Sequence, residues 1–247
     1  MKIILRGLLV TAGLICLWQC IVMIFQLPPY ILPAPYAVLK TLISHQQLIL
    51  HESLVTIIET LAGLILGILF GCCTALLMAY LRSARQWLLP VLLISQALPT
   101  FAIAPLLVIW LGFGIASKII ITILMLFYPV TSAFFDGLQR TPPGWLDLAA
   151  TMNASKWRVF WQIRIPAALP ALASGVRVAA AIAPIGAVVG EWVGSSHGLG
   201  YMMLTANARM QIDLMFAALF SIIVFSLLLY YVVGKILSLL IRWQPEG

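Results

Sequence analysis

Four ionisable side chains, Glu59, Asp136, Arg177 and Glu191, fall within or beside long apolar stretches of this chain. Charge is costly in hydrocarbon, so such residues usually face a bundle interior, a water-filled route or an interface. Asp136, Arg177 and Glu191 fall near the ends of their stretches, within reach of interfacial water, whereas Glu59 lies deeper. No spaced series of acids forms a proton relay, which argues against an ion-coupled secondary transporter. Other chemistry is sparse. No Gly-x-x-x-x-Gly-Lys-Ser/Thr loop is present to cradle nucleotide phosphates, and neither His-Glu-x-x-His nor Cys-x-x-Cys occurs. His45, His51 and His197 are scattered, the last in the flexible turn Gly194–Gly200. Cys16 and Cys20 share a helical face but have no His or carboxylate beside them in sequence, and adjacent Cys72 and Cys73 point in different directions. All four therefore read as apolar packing, and no metal site is expected. No catalytic residue is assigned, and energy for uphill movement would have to come from a partner.

The frame that positions these residues is a membrane one. Of 247 residues, 63% are hydrophobic and 9% charged, against about a quarter charged in soluble domains. A spanning helix needs roughly 20 apolar residues. Six stretches qualify: Leu5–Phe25, Leu54–Leu81, Trp87–Phe113, Ile119–Phe135, Ala171–Val193 and Met215–Ile241, the fourth being short. One transmembrane domain over 1–247 is expected, with lipid around it and both termini on one side. Lys2, Arg6, Arg82, Arg85, Arg140, Lys156, Arg158, Arg164, Lys235 and Arg242 share one face; Lys40, Lys118 and Arg209 fall on the other, and Arg177 is left uncounted. The first face is cytoplasmic by the positive-inside rule. The net charge of +7 thus reports topology. With no continuous basic stripe, no nucleic-acid partner is expected. Lys2 and Arg6 before an apolar run imitate a signal peptide, but no small-x-small cleavage site follows, and Ile15 and Gln19 do not suit a lipid anchor at Cys16 or Cys20. The run reads as the first spanning helix.

Prolines from Pro28 to Pro35 stiffen the first connector, and Val38, Leu39, Leu42 and Ile43 predict a short amphipathic helix within Tyr36–Leu50, lying at the outer surface. Gly63, Gly67, Gly71 and Gly186, Gly190, Gly194 recur every four residues, making flat strips that let helix backbones approach closely in lipid. The packing partner can lie in the same chain or in a second copy. The third stretch carries Pro90, Pro99 and Pro105. Prolines free backbone carbonyls, and irregular backbone at membrane depth persists where protein or a water-filled cavity satisfies them. Ser95, Gln96 and Pro99, with Glu191 and Trp192, are candidate pathway residues; a kinked helix that simply packs is the alternative.

One polar island interrupts the apolar chain, from Asp147 through Arg158 to Ile165-Pro166 and Leu169-Pro170. Pro142 and Pro143 can start a helix whose first turn includes Asp147, and Asn153 tolerates the left-handed conformation that ends one. Ser155 can cap a second short helix, carrying Trp157, Phe160 and Trp161 on one face and ending at Pro166. Helix, sharp turn and helix are predicted, with Ala149, Ala150 and Ala154 keeping the elbow slim.

The island resembles the cytoplasmic EAA loop of ABC importer permeases. The family pattern, Glu-Ala-Ala, three residues, Gly, then Leu-Pro, is matched by Asp147, Leu148 and Ala149, with Asn153 at the glycine and Ile165-Pro166 at the end. Leu148 for alanine and Asn153 for glycine are departures. The resemblance runs from Leu32 to Trp243. Leu32-Pro-Ala-Pro35, Pro99–Pro105 with Trp110–Gly114, and Gly198–Tyr201 look like the branch importing nitrate, sulfonates, taurine and thiamine-precursor pyrimidines. Asn207–Leu219 is most similar to the pyrimidine permeases.

The resemblance implies an all-α integral membrane protein, a six-transmembrane-helix bundle of the type I ABC importer permease kind with a cytoplasmic coupling helix. It places ATPase docking on the loop at about 141–166, through Asp147, Leu148, Ala149, Ala150, Asn153, Ala154 and Ser155. It implies a second copy of the chain, two ATP-binding subunits that carry ATP and Mg, and a periplasmic or surface-tethered solute-binding protein. No cofactor is expected on this chain. The cargo it points to is a small organic solute, a hydroxymethyl- or formylamino-pyrimidine, with sulfonate, taurine or nitrate as alternatives.

Overall fold

The computed structural model describes residues 2–241, with side chains from Leu9 onward. The side chains of Lys2 and Arg6, and residues Arg242 and Trp243, lie outside the described residues. Every regular element described is a helix: α1 (Lys2–Ile24), α2 (Pro35–Ser44), α3 (Gln46–Tyr80), α4 (Arg82–Ala97), α5 (Thr100–Leu111), α6 (Ile115–Gln139), α7 (Pro143–Thr151), α8 (Lys156–Val159), a π-turn (Phe160–Arg164), α9 (Ile165–Gly194), α10 (Leu199–Ala208) and α11 (Ile212–Leu240). Among the described residues, α3, α6, α8 through α9, and α11 are each long and apolar enough to cross a membrane. The pair α4 and α5 qualifies together, and the part of α1 whose side chains are described, Leu9–Ile24, is a shorter apolar helix. The chain divides into two compact units, one of residues up to Thr56 with Ser196–Val224, the other of Ile57–Ser195 with Phe225 onward.

The second unit is built around α6. A Cβ added at Gly63, Gly67 or Gly71 of α3 would meet Thr122, Leu126 or Val130 at 2.6, 3.1 and 2.8 Å. These pairs advance together along both helices, so α3 and α6 run parallel. On the other side, Gly190, Gly186, Gly175 and Gly137 bring α6 and α9 together in antiparallel register, against Lys118, Thr122, Pro129 and Ala168 with Ala171. Gly194 meets Val108 of α5. Both predicted glycine strips thus pack within one chain. Thr122 is gripped from two sides, where only glycine leaves room. Leu64, Leu126, Val130, Ala179, Ala180, Ala183 and Leu229 close the core between these helices.

The third apolar stretch is not straight. It breaks at Leu98 and Pro99 into α4 and α5, bent by 105°. A pair that entered and left on the same side would leave α3 and α6 antiparallel. They are parallel, so α4 and α5 together cross once. The fourth stretch, short in the sequence, extends to 25 residues as α6.

In the first unit, Pro35 starts α2 at its first turn, and Thr41 Oγ1 donates to Asp213 Oδ2 at 2.7 Å. Trp18 packs on Phe216 with ring centroids 5.8 Å apart. The amphipathic helix ends at Ser44, so Leu50 belongs to α3. The turn read at Gly194–Gly200 leads into an unexpected helix, α10. Its N-terminal backbone donors are satisfied by α3: Gly198 N–H donates to the Glu52 carboxylate and Leu199 N–H to Thr56 Oγ1 at 2.9 Å. Side chains can satisfy such donors from distant sequence as well as from a local cap.

Candidate functional site

The polar island folds as a locked elbow. Pro143 occupies the first turn of α7, where its missing N–H costs nothing. At the other end Asn153 has φ 52°, its N–H donates to Ala150 O at 3.0 Å, and Ala154 N–H donates to Ala149 O at 2.9 Å. These two bonds are the Schellman pair that closes a helix through a left-handed residue. Ser155 then caps α8, its Oγ accepting from Arg158 N–H at 3.4 Å. Asp147 is the fifth residue of α7, beyond its first turn.

The second arm does not end at Pro166. Phe160–Arg164 forms a π-turn in which Ile165 N–H donates to Phe160 O, and α9 continues directly from it. The extra residue shifts the backbone ladder by one just before Pro166, which has no N–H to supply. Arg164 ties the elbow to the bundle: Nε and Nη2 both donate to Leu138 O, at 3.1 and 2.7 Å. That carbonyl belongs to the last turn of α6, where no helical partner exists. Of the three aromatics only Phe160 is buried. Tyr80, at the end of α3, meets the rings of Phe160 and Trp157 at 5.5 and 5.8 Å.

The elbow sorts the docking candidates. Asp147, Leu148, Ala150, Asn153 and Ser155 are exposed and Ala154 is half-buried, but Ala149 is only 4% exposed and turned inward. Ala149 therefore supports the elbow from within. Trp145 and Leu148 of α7, with Met152 just past its end, form an exposed apolar ridge, Leu148 being 61% exposed. Beside it lies an open cleft of about 660 Å³ floored by Arg158, Gln162 and Pro166.

The pathway candidates separate into two places. Ser95 and Gln96 line a cleft of about 370 Å³ at the α4–α5 bend, with Leu98, Thr100, Tyr128 and Ile182. Pro99 caps α5 beside it. Trp192 is exposed and sets its edge against Phe101. Glu191, expected near interfacial water, is instead 1% exposed and approaches the Glu59 carboxyl. Lys118, counted among the outer basic residues, is buried too: its Nζ is ion-paired with Glu59 and donates to Ser195 Oγ at 2.9 Å. Each of these charges taken alone gives no sign of the cluster. The available signal was a register: Glu59 continues the strip Gly63, Gly67, Gly71 by one turn, as Lys118 continues Thr122, Leu126 and Val130.

The arrangement has the parts of a solute-conducting membrane subunit: a prolyl-broken span beside a largely apolar cleft that carries a few hydroxyl and amide groups, a glycine-packed bundle, and a braced elbow with an apolar ridge. Residues 63–242 match the family described as binding-protein-dependent transport system inner membrane component. The chain belongs to that family. A "Probable ABC transporter permease protein" of Haemophilus influenzae is 52% identical over 96% of this chain and 97% of its own. The "Formylaminopyrimidine transport permease protein ThiX" of Halalkalibacterium halodurans is 33% identical over 88% of each. The "Riboflavin transport system permease protein RibX" of Chloroflexus aurantiacus is also 33% identical, over 97% of this chain and 91% of its own. Among solved structures, an inward-facing form of the MetNI methionine ABC transporter aligns with TM-score 0.60 at 17% identity, covering 73% of this chain and 92% of that one. The fold is that of a type I ABC importer permease, and the chain is a multi-pass membrane protein.

Proposed function

We propose that two copies of this chain form the pathway of an ATP-driven importer in the inner membrane, with both termini and the elbow cytoplasmic. Two separate ATPase subunits, which hold the ATP and Mg, seat on α7, and a periplasmic or surface-tethered binding protein delivers the solute. The observation that carries this reading is the braced elbow. An exposed ridge of Trp145, Leu148 and Met152 stands on a turn fixed by Asn153 and anchored through Arg164. Apolar groups presented on a rigid, slim support suit entry into a groove on a partner. Closure of the ATPase pair on ATP would draw two such elbows together and turn the pathway from inward-facing to outward-facing.

The cargo is a thiamine-precursor pyrimidine such as a hydroxymethyl- or formylamino-pyrimidine. The run Asn207–Leu219 supports this, as does the name of one 33% identical relative; the other names riboflavin, likewise a planar nitrogen heterocycle. The cleft at the bend offers hydroxyl, amide and aromatic groups and no charge, which suits a compact neutral ring. Two experiments test the levels separately. Affinity purification of the permease should bring down an ATPase whose hydrolysis the binding protein stimulates; a permease that transports without one overturns the importer reading. Deletion in a strain unable to make the pyrimidine should abolish growth on low external pyrimidine and spare growth on thiamine. Survival of pyrimidine rescue with loss of sulfonate or taurine use overturns the cargo alone.

A further inference from the structure

Arg177, expected near the end of its stretch, lies well inside α9, and among the described residues it has no counter-charge. Gly175, two residues earlier, packs against Pro129 and Ala133 of α6, so Arg177 stands beside the middle of that helix. Thirteen residues separate it from Arg164, the anchor of the elbow, which is about 20 Å along a helix. Its side chain is exposed. Nε donates to its own helix at Ala173 O, 3.4 Å away. Among the described residues the ion pairs are those of Glu59 with Lys118 and of Glu52 with His51 and His197, and none involves Arg177. Ser174, Arg177, Val178, Ala181 and Ile185 are all exposed on α9, at spacings that place them on one face. Val178 also lines the cleft that holds Ser95 and Gln96.

A guanidinium facing acyl chains at this depth is strongly disfavoured, and arginines inside membranes face interiors, water or partners. We propose that this face of α9 borders the aqueous route and that Arg177 is a fixed positive charge that keeps small cations from leaking through while a neutral solute passes. Positive groups in narrow pores raise electrostatic barriers to cations and protons in this way. In a pair of copies the residue occurs twice, so the barrier is doubled at no cost to a cargo without charge. The inference rests on the importer reading, which solute uptake and stimulated ATP hydrolysis by the unaltered complex test independently.

The test uses the permease with its ATPase and binding protein in liposomes. Rubidium leak during ATP turnover should rise about tenfold in Arg177→Ala and further in Arg177→Glu, the size expected for removing a unit charge within a Debye length of a wet pore; Arg177→Lys should stay tight. Placed in a background lacking Cys16, Cys20, Cys72 and Cys73, Arg177→Cys should react with water-soluble methanethiosulfonates, where Leu227→Cys should not. The proposal is overturned by unchanged leak in both Arg177→Ala and Arg177→Glu, or by a cysteine at 177 that reacts with neither anionic nor cationic reagent in any nucleotide state. Loss of solute uptake in Arg177→Gln with leak unchanged makes the residue a solute contact and also overturns the barrier.

Discussion

Lys118→Met should unfold the protein more readily than any single surface change, and the size follows from the geometry around it. The side chains of Lys118 and Glu59 are 7% and 3% exposed and form an ion pair, with Glu191 close to the same carboxyl. At an effective dielectric of about 20, two charges about 4 Å apart attract by about 4 kcal/mol. Removing one partner of a buried pair typically costs about 3–5 kcal/mol because the other is stranded. For a chain of this size that corresponds to a fall of about 6–20 °C in the unfolding midpoint. Methionine keeps the stem that lies against Gly190, so packing is largely preserved and the charge is isolated. Adding Glu59→Gln to Lys118→Met removes both charges and should recover at least half the loss, since neutral replacement of a whole pair is often well tolerated. The assay is the temperature at which the detergent-purified protein leaves its monodisperse chromatographic peak. A midpoint for Lys118→Met within about 2 °C of the parent would refute the stranded-charge account, and so would a double variant as unstable as the single one.

Three further outcomes are expected. Gly175→Ala should lower stability by about 1–3 kcal/mol in the same assay, because the new Cβ meets the backbone oxygen of Pro129 at 2.7 Å, whereas Gly234→Ala meets nothing within 4 Å and should be neutral or slightly stabilising. Asn153→Gly should change little, while Asn153→Val should cost about 1–2 kcal/mol at φ 52° and weaken ATPase retention on an affinity column. Leu148→Asp should leave the permease folded but without bound ATPase, since Leu148 is exposed; Ala149→Trp should instead reduce the yield of folded protein, since Ala149 is buried.

Much of this is legible in the sequence. Apolar length gives the spans, and Pro143, Asn153 and Ser155 give the elbow, because each sets backbone geometry locally. The glycine strips announced close packing but not with what. Their partner face on α6, Thr122, Leu126 and Val130, is defined only by tertiary register. The same limit hid the Glu59–Lys118 pair, whose members lie 59 residues apart. It also hid the inward turn of Ala149, which looks like its neighbour Ala150 in sequence and differs only in facing. The continuation through Pro166 has no sequence signature, because a π-turn depends on what the freed carbonyls can reach and no residue type marks it.

The glycines also bear on how a push at the elbow can travel. Arg164 holds the last turn of α6 through Leu138 O, and Lys118 lies 20 residues back, about 30 Å away on a straight helix. Between those points α6 is clasped on one side by Gly63, Gly67 and Gly71 and on the other by Gly175, Gly186 and Gly190. Where Gly63, Gly71 and Gly186 meet Thr122 and Val130, backbone against β-branched side chain leaves few rotamers to absorb displacement, in contrast to an interface of long flexible residues. Movement imposed on the elbow is therefore carried along α6 as a body instead of being lost in side-chain rearrangement. The ion pair at the far end then resists sliding between α3 and α6, because a shift of one residue would pull Lys118 off Glu59 within a buried site.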